Sequence, residues 1–272
     1  MKVIKKIIQK CIAVFIFLIK QLPNKVKVLL IEQFRFYEKI DYQKSELFIN
    51  VTSKISLSRL NSVSKEPKTV KWIEDYFNRN DVFFDVGANV GAYSLIAASL
   101  GKEIKIYSFE PVPSTFNELC SNIKNNSFQR TIIPVNTCLS NLDGITTFTM
   151  SSLDAGAGLH KGLEGEDILN APNDFEFSYY TSIYKLDTLI EKFNFPIPNH
   201  IKIDVDGHEL GVLQGALNTL SNKFVKSIQI EVDENIQSGK KIVEFILDIG
   251  FKVQEKNLHP DTTNTYDYIF IK

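Results

Sequence analysis

Asp85-Val86-Gly87-Ala88-Asn89-Val90-Gly91 is the stretch of this chain whose residue types and spacing most directly suggest chemistry. It follows the apolar run Val82-Phe83-Phe84 and precedes the helix-like Tyr93-Ser94-Leu95-Ile96-Ala97-Ala98. An apolar run closed by glycines predicts a buried strand that turns tightly into a helix. Gly87 and Gly91 let a ligand approach the main chain without meeting a Cβ atom, and the free amides at the helix start suit an anionic or polar group. The carboxylate of Asp85 would repel a diphosphate but pair with an ammonium. A ligand carrying both a carboxylate and an amine satisfies both requirements, as the methionyl end of S-adenosylmethionine does. Asn89 has two readings, as a hydrogen-bond donor to that carboxylate or as a stabiliser of the turn. About 20 residues further on, the alternating Ile104-Lys105-Ile106-Tyr107-Ser108-Phe109 ends in Glu110-Pro111. A carboxylate at the end of a second strand is placed to accept hydrogen bonds from both ribose hydroxyls of a nucleoside.

The second constellation is Lys202-Ile203-Asp204-Val205-Asp206-Gly207-His208-Glu209. Alternation along a strand puts Lys202, Asp204 and Asp206 on one side, and ligands in open α/β sheets bind at the carboxyl ends of the strands. Asp204, Asp206 and His208 are therefore the candidate catalytic residues. If the ligand is S-adenosylmethionine, methyl transfer from its sulfonium would be an in-line displacement, so alignment of the acceptor would supply much of the acceleration. A hydroxyl acceptor also needs proton removal, for which His208 and Asp204 are the alternatives. Glu231 ends the next strand and is a further acceptor or cofactor contact. With Asp204 and Asp206 it could hold a hard cation, but no spacing demands one and no metal is expected.

These segments resemble the FkbM family of S-adenosylmethionine-dependent methyltransferases. The similarity runs through FFDVGANVGAYSL (83–95), YSFEPVPSTFNEL (107–119), YKLDTLI (184–190), HIKIDVDGHELGVLQGA (200–216) and SIQIE (227–231), in the family's order and spacing. The family usually has Glu where this chain has Asp206, which keeps the charge and shortens the reach. The resemblance implies a Rossmann-like class I methyltransferase fold, a seven-stranded, mainly parallel sheet with helices on both faces and the last strand inserted antiparallel. It implies S-adenosylmethionine as cofactor and a hydroxyl-bearing glycan, lipid-linked sugar or small metabolite as acceptor. It also puts Ser140, with Cys138 and Leu139, at the adenine pocket. Two other readings compete. A nicotinamide-dependent oxidoreductase shares the strand-glycine-helix-acid order, but the loop lacks the G-x-G-x-x-G spacing that fits a pyrophosphate. A non-catalytic membrane-surface protein on a decayed fold would not need the intact acids and glycines.

The chain has 272 residues, 44% of them hydrophobic, enough for one large α/β domain with an N-terminal addition. We expect an extension over 1–64 and the methyltransferase domain over 65–272. A net charge of −1 without a basic block argues against nucleic acid as a partner. Cys11, Cys120 and Cys138 are odd in number and lack metal-ligand spacing, as in a reducing, cytoplasmic compartment. Near the N-terminus, the apolar run 11–19 is too short for a bilayer span of roughly 20 residues. Lys2, Lys5, Lys6 and Lys10 precede it and no small-residue cleavage site follows. Two destinations stand open for residues 1–22, peripheral contact with a membrane surface or packing on protein.

The remaining pattern predicts a helix over 26–37, a small hairpin within 47–60 and a helix from Pro67. Beyond the glycine loop it predicts helices over 115–124, 209–220 and 241–247. Strands are expected over 131–135, 145–150, 200–205, 225–232, 251–255 and 266–271. The stretch 154–173, rich in Gly, Asn and charge, is expected to be a substrate-facing flap.

Overall fold

The computed structural model of the chain describes residues 2–33, 36–150, 161–163, 177–259 and 262–272. In chain order come α1 (Lys2–Gln21), α2 (Asn24–Gln33), β1 (Tyr37–Lys39), β2 (Phe48–Asn50), α3 (Lys54–Ser58), α4 (Ser62–Lys65) and α5 (Pro67–Tyr76). The core begins with β3 (Val82–Val86), α6 (Ala92–Ser99), β4 (Lys105–Phe109), α7 (Pro113–Asn125) and β5 (Ile132–Val135). Then follow β6 (Cys138–Leu139), β7 (Gly144–Met150), β8 (Lys161–Leu163), β9 (Phe177–Tyr184) and α8 (Leu186–Phe193). The chain closes with β10 (His200–Ile203), α9 (Glu209–Gln214), α10 (Leu217–Ser221), β11 (Ser227–Asp233), α11 (Gln237–Asp248), β12 (Lys252–Leu258) and β13 (Thr265–Ile271).

Seven strands make one sheet in the order β12-β13-β11-β10-β3-β4-β5. The pairings β10·β11, β10·β3, β3·β4 and β4·β5 are parallel, while β13 runs antiparallel between β11 and β12. This is the expected methyltransferase sheet. Both of its faces are covered. One face packs Phe83, Ile106 and Ile269 against Trp72, Ile73, Leu95 and Ile96, and the other packs Phe84, Phe109, Ile203 and Ile230 against Leu186, Val212, Leu213 and Ile246.

The chain divides into two compact units, 1–37 and 38–272. Residues 38–64, expected to belong to the extension, lie within the larger one. Ile40, Tyr42, Leu47 and Ile49 are buried in the same cluster as Val70 and Trp72. The hairpin expected within 47–60 is corrected. Only β2 is extended there, and it pairs with β1, while Ser53 and Ser56 form a capping box that starts α3 instead. Asparagines on α7 hold β2 in place: Asn122 and Asn126 accept hydrogen bonds from the amides of Asn50 and Phe48, and Asn122 Nδ2 donates to the Val90 carbonyl in the glycine loop at 2.9 Å.

Three further differences have physical causes. The helix expected over 209–220 breaks into α9 and α10 at Gly215, whose Cβ would stand 1.9 Å from the Ser140 carbonyl oxygen. Asp187 accepts from the amides of Asn218 and Thr219 and so caps the new helix start. The strand expected over 200–205 ends at Ile203, because Asp206 takes a left-handed conformation (φ 52°) and Gly207 follows at 98°. A second sheet, β6-β9-β7-β8, was not foreseen beyond β7, since 177–184 runs polar and aromatic residues together without alternation. The flap expected over 154–173 lies outside the described residues apart from Lys161–Leu163, which form β8.

The smaller unit holds α1, twenty residues long, and α2, which starts just after Pro23. Ile7, Ile8, Ile12, Phe15 and Phe17 of α1 are all exposed. Among the described residues, no helix is long and apolar enough to cross a membrane.

Candidate active site

The parallel register brings the ends of β3, β4 and β10 side by side, and a cavity of about 830 Å³, counting its open mouth, lies over them. Gly87, Asn89, Glu110, Ser140, Asp204, Asp206 and His208 all line it. Gly87 turns the chain at φ 78°, and its missing Cβ makes room for the Asp204 carbonyl, which would otherwise stand 1.8 Å away. The glycine is thus required by the neighbouring strand end. Gly87 and Ala88 amides both donate to the Phe109 carbonyl and tie the loop to β4.

Glu110 is 5% exposed. Its Oε2 accepts from the Asn89 amide at 3.0 Å and its Oε1 from the Val112 amide at 2.8 Å, so the carboxylate is fixed while each oxygen keeps a lone pair for the cavity. Burial pushes its pKa up to about 7, against the pull of those two amides. Asn89 lines the cavity and stabilises its own turn, since its Oδ1 accepts from the Val90 amide at 2.9 Å. Ser140 donates its amide to the Tyr184 carbonyl and packs on the α9 glycines.

Two of the proposed cofactor residues stand back from the cavity. Gly91 precedes α6 and lies against Leu119. Asp85 is 1% exposed, beneath the loop, where its Oδ2 accepts from Ser94 Oγ at 2.5 Å. Burial raises its pKa, and the cation whose field opposes that shift is Lys202. An ammonium partner for Asp85 therefore comes from the chain itself.

Lys202 is the fully buried centre of this end of the sheet. Its Nζ donates to Asp204 Oδ2 at 2.8 Å and lies 5.0 Å from the Tyr93 ring centre. Burial alone would lower the ammonium pKa, but Asp204, Glu66 and Asp85 together hold it above the ordinary value. Burial works against ionisation of Asp204 as well, and the Lys202 charge and hydrogen bond outweigh it, so the carboxylate sits below its usual range. Asp206 does not continue the line of Lys202 and Asp204, because the chain has left the strand. Asp tolerates the left-handed turn better than a longer side chain does, which suits the shorter acid found here. His208 precedes α9 at the cavity wall.

The sequence profile described as Methyltransferase FkbM domain matches residues 85–253. This chain belongs to the FkbM methyltransferase family. The hexuronic acid methyltransferase AglP of Haloferax volcanii is 27% identical over 204 residues, 75% of this chain and 77% of that protein. The 31-O-demethyl-FK506 methyltransferase FkbM of Streptomyces tacrolimicus is 31% identical over 194 residues, 64% of this chain and 73% of that one. A solved methyltransferase FkbM from Methylobacillus flagellatus matches with a TM-score of 0.51 at 16% identity, covering 82% of this chain and 56% of its own. The FkbM assignment removes the oxidoreductase and non-catalytic readings and makes S-adenosylmethionine the cofactor. The cavity fits it. Glu110 offers acceptors for ribose hydroxyls, Gly87 and Asn89 form the loop beside the acid, and Phe109, Val112, Leu139, Phe148 and Ile183 supply apolar wall for a base.

Some residues that shape the FkbM site were missed from sequence. Glu209 Oε1 accepts from the Gly207 amide at 3.0 Å and holds the turn that carries Asp206. Thr146 and Phe148 reach the cavity from the unforeseen second sheet. Glu231 does not line the cavity. It meets His259 and Asp267, residues from distant strands that no local spacing could have linked to it.

Proposed function

We propose that this enzyme methylates a hydroxyl oxygen of a glycan, a lipid-linked sugar or a small metabolite. The observation that carries the reading is that Asp204, Asp206 and His208 share one cavity with Gly87, Asn89 and Glu110. S-adenosylmethionine, when bound, supplies an electrophilic methyl carbon. Glu110 holds the ribose, the 87–91 loop and Ser140 seat the two ends of the cofactor, and the apolar wall excludes water from the base. Lys202 keeps Asp204 charged at neutral pH, so Asp204 accepts a hydrogen bond from the acceptor hydroxyl and orients its lone pair for in-line attack. The new C–O bond would form as the sulfonium C–S bond breaks, leaving S-adenosylhomocysteine, and the hydroxyl proton would pass to Asp204 or His208 at the cavity wall. The names of two relatives, a hexuronic acid methyltransferase and a 31-O-demethyl-FK506 methyltransferase, support an oxygen acceptor. The net charge of −1 supports a partner other than nucleic acid. Methyl-labelled S-adenosylmethionine incubated with the enzyme and extracts of its source should place label on carbohydrate or other oxygen. Label confined to amines or polypeptide would overturn the proposal.

The same reading puts residues 1–22 on the cytoplasmic surface of a membrane. Four lysines at the start of α1, Lys20 at its end and an exposed Ile/Phe-rich middle fit an interfacial helix on anionic lipid. Deletion of residues 1–22 should abolish sedimentation with anionic vesicles and spare cofactor binding; loss of folding on deletion would contradict it.

A further inference from the structure

Across the upper end of the sheet, register sets Asp85, Lys202 and Gln229 side by side on β3, β10 and β11, with Glu231 opposite Asp267 on β13. Alternation puts Glu231 on the same face as Gln229. Glu66 covers this face, and His259 reaches it from the end of β12. Glu66, Asp85, Asp204, Glu231 and Asp267 lie around Lys202 and His259, with Arg59 and Lys65 also acting on Asp204. Lys202 spends its hydrogen bond on Asp204, at the cavity side.

Their ligand atoms converge. His259 Nδ1 lies 3.1 Å from Asp267 Oδ2 and 3.7 Å from Glu231 Oε2, and one ligand atom from each residue falls within 4.8 Å of the others. Donors around a first-row cation, at roughly 2.0–2.2 Å from it, stand about 3 Å apart. His259 and Asp267 already meet that spacing, and a small rotation of Glu231 completes it. A second observation points to the same place. Gln229 is 1% exposed, its Nε2 lies 3.4 Å from Asp267 Oδ1, and its Oε1 has no hydrogen-bond partner among the described residues. A buried carboxamide oxygen without a partner costs about 1–3 kcal/mol, and this one belongs to an amide that borders the cluster. Glu231 is one third exposed, which gives an ion a way in from solvent.

We propose that Glu231, His259 and Asp267, with the Gln229 carboxamide beside them, bind a divalent first-row transition cation. Imidazole with two carboxylates favours ions such as Mn²⁺ or Zn²⁺ over Mg²⁺ and Ca²⁺, which prefer oxygen alone. The ion would sit between the carboxylates of Glu231 and Asp267 and the His259 imidazole.

The test uses the full-length chain stripped with a chelator and titrated with Mn²⁺ at pH 7.5, read by the loss of the free-ion electron paramagnetic resonance signal and by calorimetry. One equivalent should bind, Zn²⁺ should displace it and millimolar Mg²⁺ should not. Glu231→Gln, nearly isosteric and partly exposed, should weaken Mn²⁺ at least tenfold while circular dichroism and S-adenosylhomocysteine binding persist. Asp267→Asn gives the same readout from another strand. Absence of stoichiometric Mn²⁺, or binding unchanged in both variants, would overturn the proposal whether or not the methyl acceptor assignment stands.

Discussion

The strands β3, β10 and β11 carry a buried polar cluster at each end, and the two are built on opposite rules. At the lower end the hydrogen bonds form a closed chain. Trp72 Nε1 donates to Ser227 Oγ at 2.8 Å, Ser227 lies 2.7 Å from His200 Nδ1, and His200 Nε2 lies 2.9 Å from Asp81 Oδ2. Lys226 Nζ donates to the other Asp81 oxygen at 2.6 Å. Burial pushes the His200 pKa down, so a neutral ring accepts from Ser227 and donates to Asp81, and every group is used. At the upper end Asp85 Oδ1 and Gln229 Oε1 are buried without hydrogen-bond partners among the described residues, and burial lifts Glu66, Asp85, Glu110 and Glu231 above the usual carboxylate range. A satisfied network fixes packing.

The largest expected effect lies at the upper end. Asp204→Asn should lower kcat by about 10²–10⁴-fold in a folded protein, measured with the acceptor identified by methyl labelling. Glu110→Ala should weaken S-adenosylhomocysteine binding by about 1.5–3 kcal/mol, the cost of losing a charged hydrogen-bond partner, read by calorimetry. At the lower end the comparison reverses. Asp81→Asn should destabilise the fold by roughly 1–3 kcal/mol in urea denaturation and leave the cofactor dissociation constant within twofold.

The two ends also differ in the sign of their pH dependence. Burial opposes ionisation of Asp81, but hydrogen bonds from His200, Lys226 and the Asn78 amide outweigh it and hold the carboxyl well below its ordinary range. Its contribution is present above the unfolded pKa and is lost as pH falls through the folded value. Glu110 is shifted the other way. Its folded state binds a proton more tightly than the unfolded chain, so its contribution is fully present below about pH 4 and is lost as pH rises through about 7. Since ribose hydroxyls need the ionised acid, cofactor affinity should rise through pH 7 in the wild type. In Glu110→Gln it should stay flat, and a matching rise in that variant would assign the titration to another group.

Much of the upper end was legible because its residues sit in local motifs. Gly87, Asn89 and Glu110 lie within one strand-loop-helix-strand unit, and Asp204 to His208 within one strand end, so spacing alone brought them to one place. The burial of Asp85 was not legible, because a buried acid and a loop acid look alike in sequence and only the register sets Lys202 beside it. The lower chain from Trp72 to Ser227 and the trio Glu231, His259 and Asp267 join residues far apart in sequence, and no periodicity encodes such pairings. The second sheet escaped for a related reason, since 177–184 has neither the alternation nor the apolar run that marks a strand. The break at Gly215 depends on the Ser140 backbone, a tertiary contact invisible to helix propensity.

The account stands or falls on where the cofactor binds. A crystal structure of the full-length chain with S-adenosylhomocysteine should place both ribose hydroxyls within about 3 Å of the Glu110 carboxylate and the methionyl end beside Gly87 and Asn89, with the sulfur turned toward Asp204. A ligand seated elsewhere, or ribose contacts that leave Glu110 untouched, would contradict it.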